Sequence, residues 1–247
     1  SGRQVALTAA GEQLLGYARK MLALNDEAFA RLTREEYEGE IVLGVPHDIV
    51  YPAIPQVLKR FAVEYPKMRV TLLSSFTRVL KAQFARGECD VILTTEAGVE
   101  PGGETIAELQ LVWVGAPGGT CWKGRPLRLA YEHNCIFRQG VQAALDRAGI
   151  PWEMAVESDS TRTVEASVSA DLAVHTVLAG SEPPYVERIS HGGALPELSR
   201  MQVNLYHAQP AHSPTILALA EMLRRAYAQR AGGRPVVAER LDLTAAE

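Results

Sequence analysis

The sequence predicts an α/β protein of two Rossmann-like lobes, preceded by a long helix, and three observations carry that reading. Short apolar runs rich in Val, Ile and Leu alternate with amphipathic stretches closed by Gly or Pro, which is the pattern of parallel strands with helices on their faces. The alternation stops at the Gly/Pro-rich "GAPGGTCWKGRP" and then resumes, so a second unit follows the first. In front of both, "LTAAGEQLLGYARKML" places apolar residues at Leu15, Ala18, Leu22, Phe29 and Leu32. Their spacing, near 3.5, suits a helix that pairs with another helix.

Taken in order, Thr8 is placed to cap that front helix, with Glu12 one turn on and Gly39 as its stop. "EIVLGVP" then reads as a buried strand and "VYPAIPQVLKRFAVEYP" as an amphipathic helix ended by Pro66. "MRVTLLSS", "TRVLKAQFARGE" and "CDVILTT" continue as strand, helix and strand, and "ELQLVWVGAP" as a further strand. Beyond the Gly/Pro segment come "LRLAYE", the helix "RQGVQAALDRAGI" stopped by Gly149, "WEMAVES", the helix "TRTVEASVSAD", "LAVHTVLA" and "MQVNLYHA". The last helix, "SPTILALAEMLRRAYAQR", opens with Ser213 as a cap and Pro214 in its first turn, and sets Ile216, Leu217, Ala220 and Leu223 on one face. Residues 233–247 read as a flexible tail.

Composition narrows the function classes. With 25 Lys plus Arg against 29 Asp plus Glu, the net charge of −4 gives no overall attraction to nucleic acid or to an anionic membrane. No apolar run approaches the roughly 20 residues of a membrane span, and a cytoplasmic protein is expected. Cys89, Cys121 and Cys135 are odd in number and far apart, so neither a disulfide framework nor a metal site is expected. The motifs G-x-S-x-G, G-x-x-x-x-G-K-[ST], H-E-x-x-H and G-x-G-x-x-G after a strand are absent, and no catalytic residue or cofactor is assigned.

What remains is a set of polar clusters at strand-to-helix junctions, where open parallel sheets bind ligands. They are His47 and Asp48; Ser75, Phe76 and Thr77; Thr94 and Thr95; Phe137, Arg138 and Gln139; and Ser158, Ser160 and Thr161. For any one cluster, helix capping outweighs ligand contact. Repetition at the same kind of junction in both units favours a shared cleft. Asp48, Glu96 and Asp159 oppose a purely anionic ligand, whereas a mixed polar or zwitterionic molecule with an aromatic part against Phe76 and Phe137 suits the lining. His175, inside an apolar strand, reads as a core histidine with its hydrogen bonds met ahead of a pocket contact.

"VALTAAGEQLLGYARKML", "GEIVLGV", "FAVEYP", "RGECDVIL" and "ALDRAGI" together resemble the LysR-type transcriptional regulators over nearly the whole chain. The resemblance implies a fold like that of type 2 periplasmic binding proteins, with lobe I at 39–118 and 207–232 and lobe II at 119–206. Residues 1–38 would be the end of a DNA-binding wing and a dimerising linker helix. The implied partners are a small-molecule effector, further copies of the chain in a homodimer or homotetramer, and DNA through an N-terminal domain upstream. By position the resemblance adds His175 to the effector contacts. The chain departs from the family at "SADLAVHTVL", where Asp171, Ala173 and Leu178 replace a Gly-x-Gly turn and a proline. A ligand-sensing regulatory domain is therefore expected. A solute-binding protein for transport and a small α/β enzyme are the alternatives from other classes.

Overall fold

The computed structural model describes residues 37–208 and 213–231, together with 8, 10, 11, 14, 17, 18, 21 and 22 of the front segment. At the front, the Gly11 N–H donates to Thr8 Oγ1 at 3.1 Å, the capping bond expected there. Leu14, Tyr17, Met21 and Leu22 are exposed, between 58% and 66%. Leu15, Phe29 and Leu32, the remainder of the linker-helix assignment and the tail assignment at 233–247 lie outside the described residues.

Strand β1 (Gly39–Pro46) pairs in parallel with β2 (Met68–Ser75) along its whole length, and on its other side with β3 (Val91–Glu96). Each return runs through a helix: α1 (Ala53–Glu64) and α2 (Thr77–Ala85). In α1 the apolar residues recur one turn apart, so Ile54, Val57 and Phe61 all reach the core. The helix stops where Pro66 follows Tyr65, whose N–H bonds back to the Phe61 carbonyl at 2.8 Å. Tyr65 also stacks its ring on Phe61, with centroids 4.9 Å apart.

The long strand β4 (Gly103–Gly115) links the two lobes. Its first part, Gly103–Gln110, pairs antiparallel with β9 (Arg200–His207); from Leu111 on, it pairs instead with β7 (His175–Leu178) and β8 (Glu187–Arg188). Strands β5 (Leu127–Glu132) and β6 (Trp152–Ser158) form a parallel pair with α3 (Arg138–Arg147) between them in sequence. A bridge between Leu129 and Val174 joins that pair to the approach of β7, which α4 (Thr161–Ser169) precedes.

The main sheet runs β2-β1-β3-β9-β4-β7 and is mixed, not parallel as strand–helix alternation suggested. That inference holds only where a helix returns the chain to the same edge. Before β9 the chain runs without a helix from 179 to 199, so β9 enters antiparallel between β3 and β4. The chain changes partners at Gln110–Leu111 and again at Ser199–Arg200, before the sequence-based boundaries at 118 and 207. The two crossings lie side by side: the Leu111 N–H donates to Ser199 O at 3.1 Å, and the Gln110 amide donates to Leu198 O.

Helix α5 (Pro214–Ala231) packs on α1 and β4. Its buried stripe is Ile216, Leu219, Ala220, Leu223 and Tyr227; Leu217, expected on that face, is 48% exposed. Arg224 clasps Glu104 through Nε at 2.8 Å and Nη2 at 2.6 Å, tying the helix to the start of β4. At that same end of β4, a Cβ on Gly103 would lie 2.3 Å from the Tyr206 ring. The variant Gly103→Ala is expected to lose about 1–3 kcal/mol in urea unfolding, because the ring must leave its rotamer to make room.

Asp171, one of the departures from the family pattern, adopts φ 56°, a left-handed conformation that glycine takes without cost. Its side chain offsets the strain by accepting the N–H groups of Thr120 at 2.9 Å and Cys121 at 3.1 Å. Those bonds, the one to Thr120 foremost, hold its carboxyl below the usual range.

Candidate functional site

The strand-to-helix junctions of both lobes open onto one cavity of about 1320 Å³. The helices α1, α2, α3 and α4 point their N-termini at it, through Pro52, Phe76–Arg78, Phe137–Gln139 and Thr161–Arg162 respectively. None of the N-cap residues Pro52, Phe76, Phe137 and Ser160 makes a side-chain capping bond. Of these four only Ser160 has a side chain able to cap, and it does not. The positive ends of these helices lie at the cavity wall.

The Thr77 hydroxyl accepts the Thr95 N–H at 3.1 Å and meets Thr95 Oγ1 at 3.3 Å, which fastens the start of α2 to the end of β3. Beside this pair, Asp48 sits in the helical turn His47–Ile49 that ends β1. Its Oδ2 is buried without a hydrogen-bond partner. Burial pushes the Asp48 carboxyl up to about 6; Glu132 pushes the same way, against its own backbone N–H and the Thr95 hydroxyl. Glu132 ends β5, is 4% exposed, and lines the cavity from the other lobe.

His175, buried, and His47, exposed, both line the cavity. His175 has Nδ1 2.7 Å from the Ala130 carbonyl, which can only accept, so Nδ1 carries the proton and Nε2 is left as an acceptor. Burial holds its pKa down, with Glu132 opposing. His47 is also held down by partial burial; its Nδ1 lies 2.8 Å from Ser74 Oγ, and its ring meets Phe76 edge-on at 5.3 Å. Thr176 joins the lining, with a 2.7 Å bond to the Tyr131 hydroxyl. Burial pushes the Cys135 thiol up to about 12, which removes it as a nucleophile.

Three arginines line the wall: Arg138 is paired with Glu157, Arg78 donates to Asn134 Oδ1 at 3.1 Å, a bond from α2 across the gap to the loop after β5, and Arg162 stands in the first turn of α4. At the rim, the Tyr185 hydroxyl donates to Glu165, and that bond pushes the phenol up to about 12. Among the described residues no group of His, Cys, Asp and Glu is arranged to hold a metal ion.

Of the residues picked out by sequence, the cavity lining includes His47, Asp48, Phe76, Thr77, Thr95, Phe137, Arg138, Gln139, Thr161 and His175. It does not include Ser75, Thr94, Ser158 or Ser160. Strand parity explains the first two: neighbouring side chains point to opposite faces, so Ser74 and Thr95 turn inward. Thr94 donates to Glu96 at 2.7 Å on the other face. Ser158 Oγ accepts the Ser160 N–H at 3.1 Å, which occupies that cluster with its own turn. Sequence reasoning passed over Glu132, Thr176 and the segment from Gly180 to Tyr185. Only Glu132 carried a signal, as an acid closing an apolar strand run at the end where ligands bind.

A family model described as the LysR substrate binding domain matches residues 34–228. The HTH-type transcriptional regulator PecT of Dickeya dadantii (strain 3937) is 26% identical over 198 residues, covering 80% of this chain and 63% of that protein. The HTH-type transcriptional regulator DgdR of Burkholderia cepacia is 28% identical over 225 residues, covering 91% and 76%. The chain therefore spans between about three fifths and three quarters of these relatives. Among solved structures, the effector binding domain of QuiR in complex with shikimate has a TM-score of 0.62 at 14% identity, covering 78% of this chain and 99% of that one. Full-length BenM has a TM-score of 0.62 at 16% identity, covering 92% and 80%. These likenesses establish a fold of the type 2 periplasmic-binding-protein kind.

Proposed function

The chain belongs to the family of LysR substrate-binding domains, and from that premise we propose that it is the ligand-sensing part of a LysR-type transcription regulator. A small organic effector enters the cavity between the lobes and alters how regulator subunits are arranged on DNA. One observation carries this reading: four helix N-termini from two lobes converge on one cavity. Helix N-termini present unpaired N–H groups and partial positive charge, which suits a site for a polar ligand. The shikimate complex of a protein with this fold supports the same kind of occupant here.

The energetics need no bond to be made or broken. A ligand held by both lobes shifts the balance between closed and open forms only by its preference for one of them, so both walls must contact it. Ten of the sequence-selected positions lie on those walls, and both lobes contribute to them. Removing the bond that spans the gap should therefore change closure: Arg78→Ala is expected to weaken effector binding severalfold while lowering the unfolding midpoint little, since the pair is exposed. Titration of the effector into both proteins by calorimetry checks this.

The apolar residues Leu14, Tyr17, Met21 and Leu22, exposed on one front segment, support pairing with a second copy. Dimer or tetramer assembly follows, with DNA contacted through a domain upstream. Among the described residues no helix is long and apolar enough to cross a membrane, which suits the cytoplasmic setting proposed for a regulator. Screening small metabolites by thermal shift tests the central claim: a true effector raises the midpoint progressively with its concentration. Sedimentation of the whole chain tests the second; a strictly monomeric chain would favour a transport receptor.

A further inference from the structure

We propose that the effector carries a protonated amine, held between Asp48 of one lobe and Glu132 of the other. The inference rests on the cleft-binding reading above and adds the chemical class of the ligand.

Asp48 follows β1 and Glu132 ends β5, so the two acids reach the cavity from different lobes. Asp48 Oδ2 is buried and unpartnered, and Glu132 is 4% exposed. Buried carboxylates are costly unless a cation or several donors meet them. No cation of the protein does: among the described residues neither acid forms an ion pair with Lys or Arg; of the three wall arginines, Arg138 and Arg78 are engaged with Glu157 and Asn134, and Arg162, at the start of α4, pairs with neither acid. The neighbouring His47 and His175 are held toward the neutral form by burial. The two acids also repel each other, as the upward push of Glu132 on Asp48 records.

A single positive charge between them completes the arrangement. An ammonium has three donors and can bond a carboxylate on each side at once. It replaces one repulsion across the gap by two attractions, which act together only when the lobes close. The charge of the ligand is thereby linked to the movement it must cause. The uncapped starts of α2, α3 and α4 on the same walls supply partial positive charge for a carboxylate on the same molecule, and Phe76, Phe137 and Val50 supply an apolar surface for its body. An amino acid or an apolar amine fits these demands.

The test is a thermal-shift panel at neutral pH built on matched skeletons. Hexylamine is set against hexanoate and hexanol, phenethylamine against 3-phenylpropanoate and 2-phenylethanol, and the standard amino acids against the carboxylic acids lacking the amino group. Amines or amino acids should raise the midpoint where their matched acids and alcohols do not, and Asp48→Asn and Glu132→Gln should each weaken that binding about tenfold or more. If acids or alcohols bind and amines do not, or if both isosteric variants keep full affinity for an amine, the ammonium assignment is overturned while the cleft remains a binding site. If no compound of any charge shifts the midpoint, the cleft-binding reading falls along with it.

Discussion

Replacing Tyr227 by alanine is expected to cost about 3–5 kcal/mol, the largest loss of any single change considered for this fold. The ring is fully buried in the stripe of α5 that packs on α1 and β4. Its hydroxyl donates to the Ile49 carbonyl at 2.7 Å. Truncation therefore opens a ring-sized cavity and also leaves a buried carbonyl without its donor. Ile49 closes the turn that carries His47 and Asp48, so the damage reaches the cleft. Tyr227→Phe separates the two contributions: it keeps the ring, and should lose about 1 kcal/mol. Urea denaturation of both variants, with slopes compared to confirm an unchanged unfolding transition, measures the difference.

Asp48→Asn is expected to act in the opposite direction, stabilising the ligand-free protein at pH 7 by roughly 3 kcal/mol. The Asp48 carboxyl rises from 3.8 to about 6 on folding, burial being the main cause and Glu132 a lesser one. A raised carboxyl makes the folded state bind its proton more tightly than the unfolded chain does. Above pH 6 both states are ionised and the whole penalty is present. As the pH falls from 6 toward 4 the folded protein takes up the proton first and the penalty is relieved. The native protein should thus gain stability over that interval relative to Asp48→Asn, and the two should converge near pH 4. His47, His175 and Cys135 lie close to the same acids, so the comparison is between the two proteins at each pH, not of one protein alone. Midpoints that stay parallel across the interval would show that Asp48 is not penalised in the folded state. A gain in stability with a loss of ligand binding is the expected exchange at a site kept unsatisfied for a ligand.

Much of this architecture is legible in the sequence because its signals are local. "EIVLGVP", "MRVTLLSS" and "CDVILTT" become β1, β2 and β3 since each is a continuous apolar run bounded by turn residues and followed or preceded by a 3.6-residue pattern. What local signals do not encode is partnership. "MQVNLYHA" is plainly a strand, yet nothing in those residues says that it lies antiparallel between β3 and β4. Leu217 and Leu219 of α5 are equally apolar, and only the position of α1 and β4 buries one and exposes the other. The same limit applies at the cleft. Thr94 and Thr95 are identical side chains whose roles are divided by a half-turn of the pleat, and Glu132 acquires its interest only when β5 brings it opposite Asp48. The loop from Gly180 to Tyr185 carries no motif and reaches the rim through tertiary packing alone.

The two chain crossings between the lobes are laced to one another through Gln110, Leu111, Leu198 and Ser199. These rungs resist sliding of one half past the other and favour rocking about the line where the two crossings meet. Molecules of quite different shape, once wedged between the jaws, would then all be translated into the same stroke. Recognition could change over evolutionary time by altering the lining alone, with the mechanical output left as it was.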